Sequence, residues 1–391
     1  MRAGISDRTI ALSWSGVTAR RMARHSLLVP ASDSSPAEIA SALCGAHAQI
    51  LAAAELSIGR RIAGATRADV QRALWVDRTL VKTFGPRGTV HLLATADLPM
   101  WTGALSALPS SVPKHPDQVR FTPEQTDEVI GAMGDALADA ELTVDELTEE
   151  LRVRVGPWAV ERTMAAFQDT WPRWRQLTST AAHRGVLCFG RDRGRNVTYT
   201  NPRRSLRDFR PQEGATAIRT LLRRYLFAYG PATPQHFAKW LAIPPRHSAQ
   251  LFDEMTDELE RVSLDGAPAW TLAGDTAMPE AHRGIRLLPY FDAFVVGGQP
   301  RRLLYPGKAA RRALTPAGQA GNFPVLLVDG VVEGVWHQRR TGRGLEVTVE
   351  PLRNLTAPQR RELDDEVELV GSVMEAEATL RVGRVTVGAH A

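Results

Sequence analysis

The chain has 391 residues, 43% hydrophobic and 23% charged, which is more than one hydrophobic core usually supports, so several structural units are expected. Its two cysteines, Cys44 and Cys188, exclude a disulfide framework and a cysteine-based metal cluster, and no apolar run is long enough to cross a bilayer. The net charge of +5 hides an asymmetry: residues 151–250 hold 18 Lys and Arg against 5 Asp and Glu, a balance of +13 that leaves the rest at −8, the footprint of a polyanionic partner such as nucleic acid.

In chain order, one kind of unit recurs three times: a helix, a turn, a second helix, then strand-like residues around a basic or glycine turn. That is the grammar of a winged helix. In the first copy, "SPAEIASALCGAHAQ" opens with Ser35 as N-cap, Pro36 at the first helical position and Glu38 behind it, and the motif His47-Ala48-Gln49 falls on this helix. "TRADVQRALWVDRTLVKTF" then predicts a helix from about Asp69 to Phe84, a break at Gly85-Pro86 and the strand "TVHLLA".

The second copy pairs Thr143 with Glu146 at capping-box spacing, ahead of a face made by Val144, Leu147 and Leu151. "RWRQLTSTAAHRGVL" predicts a second helix bearing Arg173, Arg175 and Arg184, and "CFGRDRGRNVTYTN" predicts a hairpin with Arg191, Arg193 and Arg195 at its tip. In the third copy "ATAIRTLLRRYLFAYG" stops at Gly230, and Thr233 with Pro234 starts the next helix. "RHSAQLFDEMTDELERV" follows as an acidic helix, better suited to a spacer than to phosphates, and "SLDGAPAWTL" as a short wing.

From Ile285 the pattern changes to the short strands "IRLLPYF", "AFVVG", "FPVLLVDG", "VVEGVWHQ", "LEVTVEPL" and "ATLRVGRVTVG", with one helix, "APQRRELDDEVELVGSVM", which reads as a small β-barrel or sandwich. The expected fold is α+β, with winged-helix units at 1–110, 111–210 and 211–284 and the barrel at 285–391.

Three stretches carry a family resemblance: "HAQ" at 47–49, "RGTVHLL" at 87–93, and "LLPYFDAFVVGGQPR" with "YPGKAARRAL" and "FPVLLVDGVVEGVWHQRR". Across essentially the whole chain the sequence resembles the tandem winged-helix DNA glycosylases of the AlkZ and YcaQ type. The resemblance implies three tandem winged-helix units and a C-terminal β-barrel arranged as a C-shaped clamp on double-stranded DNA. It implies a monofunctional, monomeric enzyme with no cofactor or metal, excising bulky N7- or N3-alkylated purines, crosslinks among them, in repair or in self-resistance to an antibiotic. The family's catalytic signature is Gln, an aliphatic or small residue, then Gln or Asp; here it reads His47-Ala48-Gln49, with His in place of the more usual Gln.

The residue types suit that chemistry. Alkylation at N7 or N3 makes the purine cationic, so its bond to the sugar is already weakened and no strong general acid is needed; what remains is to hold a water beneath C1′ against an oxocarbenium-like sugar. Gln49 can accept from that water and orient it, and a neutral His47 can take its proton or hold its position. The alternative is a His and a Gln satisfying backbone groups in a core. On an ideal helix residues i and i+2 point about 200° apart, so both reach one lesion only if the helix ends nearby, as Gly45 permits.

Arg87, Arg173, Arg175, Arg191, Arg193 and Arg195 are candidate phosphate contacts, and the hairpin "VWHQRRTGRG" would bring His337, Gln338, Arg339 and Arg340 to the DNA minor groove, against the alternative of an ordinary solvated turn. Asp292 reads as a buried hydrogen-bonding residue. No glycine-rich phosphate loop, zinc spacing or paired carboxylate site is present. Two other functions fit the same helices: a transcriptional regulator, for which no dimerisation heptad or ligand domain appears, and an inactive relative that shields damaged DNA. Large adducts fit snug base-flipping pockets poorly, so an open, shallow site is expected. The N-terminal residues lack an apolar segment followed by a cleavage pattern, which predicts a cytoplasmic, nucleoid-associated protein with no membrane contact.

Overall fold

A computed structural model describes residues 9–109, 116–166 and 169–388; the expected boundary at 110/111 lies outside them. By contact the chain divides into two compact units, one built from Met1–Gln71 with Leu222–Ala391 and the other from Arg72–Leu221.

The first unit begins with strand β1 (Ile10–Leu12) and helix α1 (Trp14–Arg24), whose start is capped by Ser13 Oγ accepting from the Gly16 N–H at 3.2 Å. Helix α2 (Pro36–Ala42) starts at the expected N-cap Ser35, which forms a capping box with Glu38. It is followed by β2 (Ala46–His47), α3 (Leu51–Gly59) and α4 (Arg67–Trp75). Helix α4 therefore ends well before Phe84: Arg78 turns the chain with φ +57, and Leu80–Phe84 becomes strand β3, paired antiparallel with β4 (Val90–Ala94). The β-branched Val81 and Thr83 favour that outcome over a helix.

The second unit continues with α5 (Leu98–Ser106), α6 (Pro123–Ala136), β5 (Glu141–Thr143) and α7 (Val144–Arg154). Then come the hairpin of β6 (Arg162–Ala166) and β7 (Asp169–Pro172), helix α8 (Thr178–His183), and strands β8 (Cys188–Phe189) and β9 (Thr198–Thr200). Thr143 and Glu146 form the expected capping box on α7. The helix expected from Arg173 is a 3-10 turn over Arg173–Leu177 before α8 takes over. Strands β5, β9 and β8 form an antiparallel sheet, in that order, beside a core that includes Val129, Leu147, Leu151, Trp174, Ala181 and Tyr199.

Helix α9 (Gly214–Tyr229) leads back to the first unit, followed by α10 (Pro234–Leu241), α11 (Pro245–Glu254) and the hairpin of β10 (Leu259–Leu264) and β11 (Ala267–Leu272). The acidic helix stops at Glu254, so Glu260 lies on a strand; β10 buries Leu259, Val262 and Leu264 and pairs with β1 on its other side.

The last part contains β12 (Ile285–Leu288), short helices α12 (Ala293–Gly297), α13 (Arg301–Leu304) and α14 (Lys308–Ala313), then β13 (Val325–Val328), β14 (Val331–Thr341), β15 (Gly344–Pro351), α15 (Ala357–Met374) and β16 (Glu377–Val382). The five strands pair in sequence order, antiparallel except for β15 and β16, which α15 connects in parallel. This corrects the barrel to a half-barrel with edges at β12 and β16. Part of the reason is "AFVVG", expected as a strand: Asp292 accepts from the Phe294 N–H at 3.0 Å and winds it into α12.

Helices cover both faces of the sheet. Leu326 and Val328 pack towards Leu363, Val367 and Val370 of α15, and Val325 and Leu327 pack towards Met22, Phe294 and Ala309. That is why β13 is apolar at every position. The β13–β14 turn is Asp329-Gly330 with φ +52 and +81, the pair that a two-residue hairpin demands. A Cβ on Gly330 would lie 2.3 Å from Thr18 of α1, so glycine is also needed for close packing.

Candidate active site

Helix α2 ends in a Schellman motif. The Gly45 N–H donates to Ala40 O at 2.8 Å and the Cys44 N–H to Ser41 O at 3.0 Å, with Cys44 at φ +53 and Gly45 at φ +94. The motif His47-Ala48-Gln49 is therefore not helical: His47 ends β2, and Gln49 lies in the bend before α3. The divergence of about 200° that an intact helix imposes on residues i and i+2 therefore does not apply to the pair. From α9, Tyr229 Oη donates to Leu43 O at 2.6 Å and pins the turn.

His47 is 9% exposed, while the Gln49 side chain is exposed. The imidazole stacks on Phe291 with ring centres 4.4 Å apart and planes 23° from parallel. The Gln49 N–H donates to His47 Nδ1 at 3.4 Å, which ties the two motif residues together.

Phe291 is held from behind. It takes φ +53, its N–H donates to Gly321 O at 3.0 Å, and a Cβ on Gly321 would lie 2.9 Å from its ring. The next residue, Asp292, is buried and receives both arms of Arg61, at 2.8 and 2.9 Å, and the Ser57 hydroxyl at 2.7 Å. Burial alone would raise the Asp292 pKa, but Arg61, Ser57 and the Phe294 N–H outweigh it and hold the carboxyl below its ordinary range. Asp292 is thus a buried anchor, as its apolar surroundings in the sequence indicated. Glu55 on α3 is also buried and is bound by Arg67 at 3.0 Å and Gln71 at 2.8 Å.

The DNA glycosylase AlkZ-like family model matches residues 40–373, which include the motif, its Phe291 support and strands β12 to β15 of the half-barrel. The chain belongs to the AlkZ-like DNA glycosylase family. It is 33% identical over 334 residues to an interstrand DNA cross-link repair glycosylase of Streptomyces sahachiroi, covering 83% of this chain and 87% of that protein. The solved structure of Streptomyces sahachiroi DNA glycosylase AlkZ matches with a TM-score of 0.81 at 28% identity, over 96% of this chain and all of that one.

The candidate DNA contacts of this AlkZ-like protein differ in how they are held. Arg191 and Arg195 are exposed on the β8–β9 loop. Arg193 bonds Glu146 and donates to Glu141 O at 2.9 Å. Arg173 donates to the carbonyls of Val119 and Arg120 at 2.9 and 2.5 Å and lies over the Phe121 ring, so its guanidinium bridges backbone within the unit. Arg175 lies 4.2 Å from the centre of the Trp171 ring, and Arg87 is half-buried at φ +64.

The β14–β15 hairpin forms as read, with Thr341 opposite Gly344 across a turn at Gly342 and Arg343. Arg339 reaches Glu346 at 3.4 Å and Arg340 donates to Met374 O at 3.2 Å. His337 Nδ1 and Gln338 Oε1 are buried without a protein partner among the described residues. Burial, then the neighbouring Arg339, lowers the His337 pKa. Sequence reasoning missed Phe291 and Tyr229 as neighbours of the motif; the aromatic pair beside the acid in "PYFD" was the one available signal for Phe291.

Proposed function

We propose that the protein hydrolyses the N-glycosidic bond of bulky N7- or N3-alkylated purines in duplex DNA, interstrand crosslinks included, as a monomer with no cofactor or metal. The observation that carries this reading is the placement of His47 and Gln49 on one short non-helical segment, in a chain whose 33% identical relative is named for crosslink repair.

The exposed Gln49 amide accepts from a water and directs its oxygen at C1′. As the C1′–N bond breaks, the cationic alkylpurine departs as a neutral base, so the only proton to dispose of is the one the water loses, which passes to solvent. The motif holds no amine nucleophile, which supports hydrolysis without a Schiff base. The helix-and-hairpin segments act as three winged helices. Arg191 and Arg195 meet phosphates, and the unpartnered atoms of His337 and Gln338 gain partners in the minor groove. The site stays open and shallow enough for bulk, and the work is done on nucleoid DNA in the cytoplasm.

The test is a panel of duplexes carrying an N7-alkylguanine, an N3-alkyladenine or an N7-linked interstrand crosslink, assayed for free base and separated strands. Release of free base and unhooking of the crosslink are expected. Tight, sequence-specific binding with no release from any substrate would instead identify a DNA-binding regulator.

A further inference from the structure

We infer that Phe291 is the positioning residue for His47, and that the imidazole it holds works as an Nε2–H donor rather than as a base. The inference rests on the motif being the catalytic centre.

A neutral imidazole has one N–H and one lone pair. The Gln49 N–H points at Nδ1 from 3.4 Å, so the lone pair is on Nδ1 and the proton on Nε2. In that tautomer His47 has no lone pair with which to take a proton from the attacking water. It can donate to the water oxygen or to an acceptor on the sugar or departing base, which leaves orientation of the water to Gln49.

Phe291 sets the plane in which that donor lies. Its ring is stacked at 4.4 Å, and offset stacking of two flat rings restricts tilt more than an aliphatic contact would. The backbone beneath it is unusual, because a bulky residue at φ +53 is disfavoured and persists only where its surroundings impose it. Those surroundings are the bond to Gly321 O on one side and, on the other, Asp292 locked by Arg61 and Ser57. A chain of rigid contacts thus runs from α3, through Arg61 and Asp292, to the face of His47.

Two measurements test this. The first is single-turnover release of an N7-alkylguanine by the wild type, Phe291→Leu, Phe291→Tyr, His47→Gln and the double variant Phe291→Leu/His47→Gln, with DNA affinity and melting followed for each. Phe291→Leu should slow release by about 10- to 100-fold with affinity unchanged, since a small misplacement of a reacting group costs that much. Phe291→Tyr should restore it. The double variant should be no slower than His47→Gln alone, because Phe291 acts only through the imidazole. A purely structural Phe291 would give the same loss in both backgrounds and would overturn the inference.

The second is nitrogen NMR of the imidazole. Nε2 should carry the proton; an Nδ1–H signal overturns the donor assignment without involving activity. If the wild type releases no base at all, the catalytic reading of the motif fails and Phe291 positions nothing catalytic, whereas release with additive losses defeats this inference alone.

Discussion

At the scale of single residues, the motif is held by groups far away in sequence. Asp292 and Arg61 form a fully buried pair, and removing one partner leaves the other charge without compensation. Asp292→Ala should therefore lose about 3–5 kcal/mol of stability in denaturant titration. His25 provides a pH signature. Its Nε2 lies 3.1 Å from Ala228 O, and burial, reinforced by Arg61, lowers its pKa from 6.5 to about 3. The folded protein keeps this ring neutral while the unfolded chain protonates near the ordinary value, so the stability it contributes is intact above about pH 6.5 and declines as pH falls towards 3. The slope is about 1.4 kcal/mol per pH unit. His25→Gln, compared with the wild type at pH 7 and pH 5, should be less acid-sensitive by about that slope; equal sensitivity would place His25 in water in the folded state.

At the scale of elements, the β8–β9 loop gives the clearest prediction. Arg191→Ala with Arg195→Ala should weaken binding to any duplex and flatten the salt dependence by about 0.9 per lost phosphate contact. Arg193→Ala should add less, because Arg193 already bonds Glu146, and this contact with the Thr143 N–H holds the Glu146 pKa at about 2. A loss confined to one DNA sequence would mean that the loop reads bases.

What was legible was local: the N-cap at Ser35, the capping box at Thr143 and the full extent of α15 all lie within a few residues of their own signals. Errors came where tertiary partners decide. Leu80–Phe84 became a strand because β4 was available to pair with it, and "AFVVG" became a helical turn because the Asp292 carboxylate, held by Arg61, caps it. Phe291 beneath His47 could not be read from spacing, since the two are 244 positions apart.

At the scale of the molecule, the charge asymmetry of the sequence is partly neutralised by folding. Residues 72–221 carry 20 Lys and Arg against 18 Asp and Glu, because the arginines of 151–221 share a unit with acidic helices α6 and α7. Arg184 bonds Asp127 at 2.6 Å, and Arg193 bonds Glu146. Attraction to DNA must then come from where individual arginines are exposed rather than from the unit's net charge. Membership of the AlkZ-like family makes the His47-Ala48-Gln49 segment the decisive place to test.

The most direct test is single-turnover excision of an N7-alkylguanine by Gln49→Ala beside the wild type, with duplex affinity and melting temperature measured on the same preparations. Melting and binding should be unchanged, with base release slower by about two to four orders of magnitude, the range for removing one group that acts on the reacting atoms. A stable, DNA-binding Gln49→Ala protein that excises the base at the wild-type rate would contradict the catalytic role of Gln49.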